Sequence, residues 1–259
     1  MPLPAGPTRP ERAPAVLAGI ALITLLAWAW VIHVARAPDM AMDMPMDMPM
    51  AGTLASPTAT FLGLFAMWVA MMAGMMLPSA APTILLFSAM ARQRRESGRP
   101  ALSVSTFVGG YLAVWTGFSA LAALIQTRAH TALLDLAGLT RGAALVAGVL
   151  LLVTGAYQWT PFKTACLSHC RSPLGHFSAH WREGTLGAFR MGVEHGALCL
   201  ACCWLLMGLL FVGGVMNPLW VGGLALLVLL EKVVPRGDLL GRLAGLGLMV
   251  WGVGLILGR

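Results

Sequence analysis

Charge is scarce in this sequence: 17 basic and 10 acidic residues among 259 leave it 10% charged, where soluble domains carry about a quarter. That excludes a soluble globular domain as the main body of the chain. No GxxxxGK[ST] loop and no DKTGT-like phosphorylation signature occurs, so nucleotide-driven transport is excluded and no nucleotide partner is expected. A Ser-His-Asp order, a paired-carboxylate site and a CxxCH haem attachment are likewise missing. No catalytic residue is therefore assigned, and the expectation is that the protein is not an enzyme.

What is present is apolar. The chain is 58% hydrophobic with 30 glycines, and runs of roughly 20 residues recur that are each long enough for a hydrocarbon core of ~30 Å. Such runs lie at 14–35, 58–90, 103–126, 142–160, 187–216, 218–231 and 239–257. The expected fold class is all-α, a polytopic helical bundle of about seven transmembrane helices in a bacterial inner membrane. It divides into an amino-terminal span with its outer loop, 1–57, and a six-helix membrane domain, 58–259.

The net charge of +7 would suggest nucleic acid in a soluble protein. Here the basic residues sit in short loops, so the expected partner is the lipid bilayer and no nucleic acid. With the amino terminus in the cytoplasm, Arg9, Arg12, Arg92, Arg94, Arg95, Arg99, Lys163, Arg171, Arg182, Arg190, Lys232, Arg236 and Arg242 fall inside, 13 of 17. Arg36, Arg128, Arg141 and Arg259 fall outside. An alternative for the first run is a signal peptide ending at Ala35-Arg36-Ala37, which would leave six spans without changing the sidedness of the others. Pro78 and Pro82 lie inside the second run, where each removes a backbone donor, so that helix is expected to be kinked or broken.

Seventeen methionines stand out. Met40, Met42, Met44, Met46, Met48 and Met50 alternate through MAMDMPMDMPM, with Asp39, Asp43 and Asp47 among them. Pro45 and Pro49 forbid a regular helix there, and a flexible outer arm is expected. Thioether sulfur is a soft, neutral ligand that suits Cu(I) and needs no deprotonation. It also serves outside the cytoplasm, where cysteine tends to be oxidised. The arm thus reads as a copper-capture segment, the alternative being a tether of accidental bias. In the second run Met67, Met71 and Met75 follow at i, i+4 and i+8, within about 80° of arc. They form either a candidate path for the ion or ordinary packing.

All five cysteines fall in two clusters. KTACLSHCRSP carries Cys166 and Cys170 one helical turn apart, with His169 between them, and EHGALCLACCW carries Glu194, His195, Cys199, Cys202 and Cys203. On a helix, His195, Cys199, Cys202, Cys203 and Met191 share one sector of roughly 120°. Both clusters are expected on the cytoplasmic side, so Cys166 and Cys170 can close over Cys199 and Cys202. Thiolates with an imidazole suit Cu(I), with zinc as the alternative.

These motifs resemble those of an uncharacterised bacterial family of predicted metal-binding integral membrane proteins. The resemblance rests on MWVAMMAGMMLPSAAP (Met67 to Pro82), YLAVWTGF (Tyr111 to Phe118), GAYQWTPFKTACLSHCRSP (Gly155 to Pro173) and HGALCLACCWLLM (His195 to Met207), then Met216, Asn217, Glu231 and Lys232. It implies metal binding by Cys166, Cys170, Cys199, Cys202 and Cys203. Ala201 stands where the family pattern often has glycine. The expected function is Cu(I) handling, by transport or by delivery to an acceptor such as a copper chaperone or a copper enzyme under assembly. The alternatives are a membrane thiol-disulfide oxidoreductase and a structural subunit of a membrane complex.

Overall fold

The computed structural model describes residues 12–36, 57–98, 103–135, 140–179, 181–215 and 217–258. The methionine arm at 40–50 lies outside them. The described residues are helical without any strand, as the apolar periodicity requires, and form α1 (Arg12–Arg36), α2 (Pro57–Glu96), α3 (Val104–Asp135), α4 (Thr140–Tyr157), α5 (Pro161–Arg171), α6 (Pro173–Ala179), α7 (Gly184–Gly208), α8 (Leu210–Gly213), α9 (Pro218–Val233) and α10 (Gly237–Ile256). Caps mark the short helices. Thr160 accepts from the backbone N–H of Lys163 ahead of Pro161, and Asn217 accepts from Leu219 and Trp220 ahead of Pro218. In both, a polar N-cap precedes a proline whose missing N–H has no intrahelical partner to lose.

Among the described residues, five helices are long and apolar enough to cross a membrane: Ala13–Val34, Phe61–Glu96, Val104–Arg128, Gly184–Gly213 and Gly237–Ile256. A sixth crossing arises if α4 and α5 count as one broken span, for Ala144–Tyr157 and Pro161–Arg171 meet at 64°. The sixth expected run, 218–231, corresponds to α9. Its 16 residues extend about 24 Å at 1.5 Å per residue, short of a full hydrocarbon core. Of the kink or break expected in the second run, the break is not found, because α2 continues as one helix through Pro78 and Pro82. Packing supplies the reason. The flanking residues Met75, Met76, Leu77, Ala80 and Ile84 are all buried, so neighbouring helices hold the segment where proline weakens its hydrogen bonding.

Glycine sets the close approaches. A Cβ at Gly192 would overlap the Phe107 carbonyl, one at Gly110 would overlap the Phe189 carbonyl, and one at Gly196 would stand 3.1 Å from the Tyr111 carbonyl. Thus α3 and α7 run parallel with their backbones in contact, as small residues permit. On the other side Gly155 meets Gly245 and Met249 while Gly148 meets Gly252 and Ile256, which makes α4 and α10 antiparallel. The core packs α2 against α3, with Trp68 and Phe87 from the first and Phe107, Tyr111 and Trp115 from the second.

Candidate metal site

The amino-terminal half of α7 is polar enough to contact solvent, with Glu194 bonded to Arg182 at 3.1 Å. One turn later the face of the helix that carries the cysteines is enclosed. Cys199, Cys202 and Cys203 are all at most 1% exposed, and the thiols of Cys202 and Cys203 both donate to the Cys199 carbonyl, at 3.0 and 2.9 Å. Back-bonding of this kind orients a short side chain on a helix.

The bend between α4 and α5 brings the second cluster to the first. Gln158 and Trp159 lie in the turn, and Pro161 starts α5 in a new direction. The helix packs on α7 and α9 with Lys163, Cys166, Leu167 and Cys170 turned inward. Its end brings Cys170 next to Cys202 of α7. Cys202 is thereby the α7 cysteine that faces a thiol of the other cluster, with Cys199 and Cys203 within one turn on its own helix. Cys166, one turn back, is buried and interacts with Cys202 over a longer range. His169 is exposed and uses its Nδ1 on the Ala165 carbonyl at 2.8 Å. No disulfide joins any of the five.

The other sequence-derived candidates fall around this group. His195 precedes Cys199 by one turn and is buried, its ring stacked 6.2 Å from that of Phe107 and 5.7 Å from that of Tyr111. Met67, Met71 and Met75 are buried along α2, and Met71 packs with Trp28, Val31, Gly74 and Val221. The ladder's next position is Ser79, where the stripe meets the thiol site. Among the described residues, no three His, Cys, Asp or Glu side chains converge to hold one metal ion. The thiols meet in pairs.

Three groups at the site were not singled out as ligands or partners in the sequence. Lys232 donates from Nζ to Cys199 Sγ at 2.9 Å and to Ser79 Oγ at 3.0 Å. The Tyr111 hydroxyl lies 3.2 Å from Cys199 Sγ and bonds to the Met76 carbonyl at 3.2 Å. Lys163 bonds both carboxylate oxygens of Glu231 at 2.8 Å, with side chains 3% and 2% exposed, and the Gln158 amide oxygen completes its shell. Gly241 makes room for that pair, since a Cβ there would stand 2.6 Å from Glu231 Oε1. Lys163 is thus a buried partner and Lys232 a half-buried one, rather than loop charges. The signal in the sequence was the position of Lys163, Glu231 and Lys232 beside the cysteine runs or at the end of an apolar run, where a charge must either reach water or find a partner.

The site lies within a recognisable family. No curated protein and no solved structure matches the chain. Residues 65–255, however, match the family PpoB2, described as a copper chaperone. The matched region takes in all five cysteines, His195, Met67, Met71, Met75, Tyr111, Lys163, Glu231 and Lys232, and leaves the methionine arm outside. It narrows the metal of the resemblance to copper. The chain belongs to the PpoB2 copper chaperone family.

Proposed function

We propose that this protein is a multi-pass protein of a bacterial cytoplasmic membrane that takes Cu(I) as its cargo, holds it on paired thiols among Cys170, Cys199, Cys202 and Cys203, and hands it to a copper chaperone or a copper enzyme under assembly. The observation that carries this reading is the meeting of thiols from α5 and α7 at Cys202, enclosed in the core of a chain of the copper chaperone family. Thiolate sulfur favours Cu(I), which is content with two ligands. Zinc in a structural site asks for four. Pairs without a converging third ligand among the described residues therefore suit copper better than zinc.

The supply side is made of thioethers. The outer arm Met40–Met50 collects copper, and Met67, Met71 and Met75 lead along α2 to the level of Ser79, where Lys232 and Cys199 meet. Neutral thioethers bind more weakly than thiolates, so an ion gains affinity inward. Absence of a nucleotide motif makes any movement passive or coupled to an ion, and the protein has no catalytic role.

Metal content by plasma mass spectrometry on anaerobically purified protein tests the reading. Wild type is expected to hold copper near one per chain, and the Cys199/Cys202/Cys203→Ser variant to lose it. Deletion of 39–50 should leave the purified inner site loaded. Absence of copper from wild type sinks the proposal. A defined two-electron thiol couple in a metal-free protein would favour the oxidoreductase alternative instead.

A further inference from the structure

Among the described residues, the one basic side chain whose ammonium is bonded to a thiol of the group is that of Lys232. Its hydrogen bonds run to Cys199 Sγ and Ser79 Oγ. The neighbouring carboxylate does not serve it, because Glu231 points from α9 to Lys163 and grips that ammonium with both oxygens. Among the described residues no ion pair joins Lys232 to a carboxylate at salt-bridge distance. A cation placed against the protein core needs a compensating charge close by, and the nearest groups able to carry one are the thiols.

We propose that Lys232 is the residue that sets which cargo the site accepts: a fixed positive charge that matches a thiol pair to a monovalent soft cation, Cu(I) or its analogue Ag(I), and turns away divalent zinc. This rests on the copper reading given above. Two thiolates around a monovalent ion make a centre of charge −1, and the ammonium 2.9 Å from Cys199 brings the sum to zero. The same pair around Zn²⁺ is neutral, so the ammonium leaves an excess of +1. Uncompensated charge is heavily penalised where the surroundings are apolar. Zinc would regain neutrality by recruiting a third thiolate, but no three candidate ligands converge among the described residues. Lys163 does not disturb this sum, because Glu231 cancels it. Ser79, the polar successor of the Met67, Met71 and Met75 stripe, holds the ammonium on the side from which the ladder arrives.

The test compares wild type with Lys232→Met, Lys232→Gln and Lys232→Arg, each as the full chain purified anaerobically in detergent. Cu(I) affinity is read by competition with bicinchoninate, Zn(II) affinity by competition with a zinc-chelating dye, and Ag(I) by displacement of bound Cu(I). The two neutral variants are expected to lose the preference for Cu(I) over Zn(II) by about tenfold or more, while the arginine variant keeps it and Ag(I) follows Cu(I) throughout. Lys232→Gln retains a donor for Ser79, so it remains informative if the methionine variant does not fold. Neutral variants that bind Cu(I) with the wild-type preference overturn the role of Lys232 and leave the copper site standing. A wild-type protein that binds no Cu(I) overturns both.

Discussion

Lys163 and Glu231 show how much the interior of this bundle depends on matched charge. Each is almost fully enclosed, and with Gln158 they join the α4–α5 turn to the end of α9. Removal of one partner leaves the other as a lone buried charge, which costs about 3–5 kcal/mol. Glu231→Gln and Lys163→Met should each lower thermal stability by that order. The paired replacement Lys163→Met with Glu231→Leu should recover most of the loss, since two apolar groups leave nothing unpaired. Thermal unfolding in detergent checks this, and equal losses in the single and paired variants would refute a charge-based account.

Cys170 reaches Cys202 only because α5 is held in its new direction. Thr160 caps that helix through the Lys163 N–H at 3.2 Å, so Thr160→Ala should weaken α5 by about 1 kcal/mol. The expected sign is faster alkylation of Cys170, with Cys199 unchanged deeper in the core. Pairing of α3 with α7 offers a cleaner comparison. Gly192→Ala drives a methyl into the Phe107 carbonyl and should destabilise by about 1–3 kcal/mol, drawing Tyr111 away from Cys199. Gly109→Ala, on α3 with nothing within 4 Å of its would-be Cβ, should stabilise by up to about 1 kcal/mol by removing helix-interior glycine. Opposite signs in a denaturation series are expected; the same sign for both would mean that backbone contact does not govern the α3–α7 seam.

These elements also show what a single sequence reveals. Cysteine spacing was enough to expect each cluster on one helical face, because a turn of helix is a local property, and the basic loops gave the expectation that both lie on one side of the membrane. The contacts of Cys199 with Lys232 and Tyr111 span 33 and 88 positions and depend on how three helices pack, which no periodicity encodes. Likewise, the prolines of α2 argue for a break on local grounds, and tertiary burial overrides them.

The arrangement of the whole chain bears on the membrane crossing that α9 leaves open. Ala13, Ala15 and Val16 neighbour Leu85 to Arg95, whereas Ala27 and Trp28 neighbour Gly74, so α1 and α2 are antiparallel. Val221 lies by Met71 and Lys232 by Ser79, so α9 runs with α2. Together with the parallel α3–α7 pair and the antiparallel α4–α10 pair, these directions match a path that alternates between two sides, and the basic loops propose the cytoplasm as the side of the amino terminus. A helix of 16 residues can complete such a path where its end is met by protein rather than lipid, and here Glu231 and Lys232 are met by Lys163, Ser79 and Cys199. Fusions of a periplasm-active enzyme are therefore expected to be active at residues 50 and 217 and inactive at 98, 180 and 235. Activity at both 217 and 235 would show that α9 enters and leaves on one side. In that case the carboxylate and ammonium at its end would have to be supplied to the thiol site from the outer face, and the inward order from arm to ladder to thiols would fail with it.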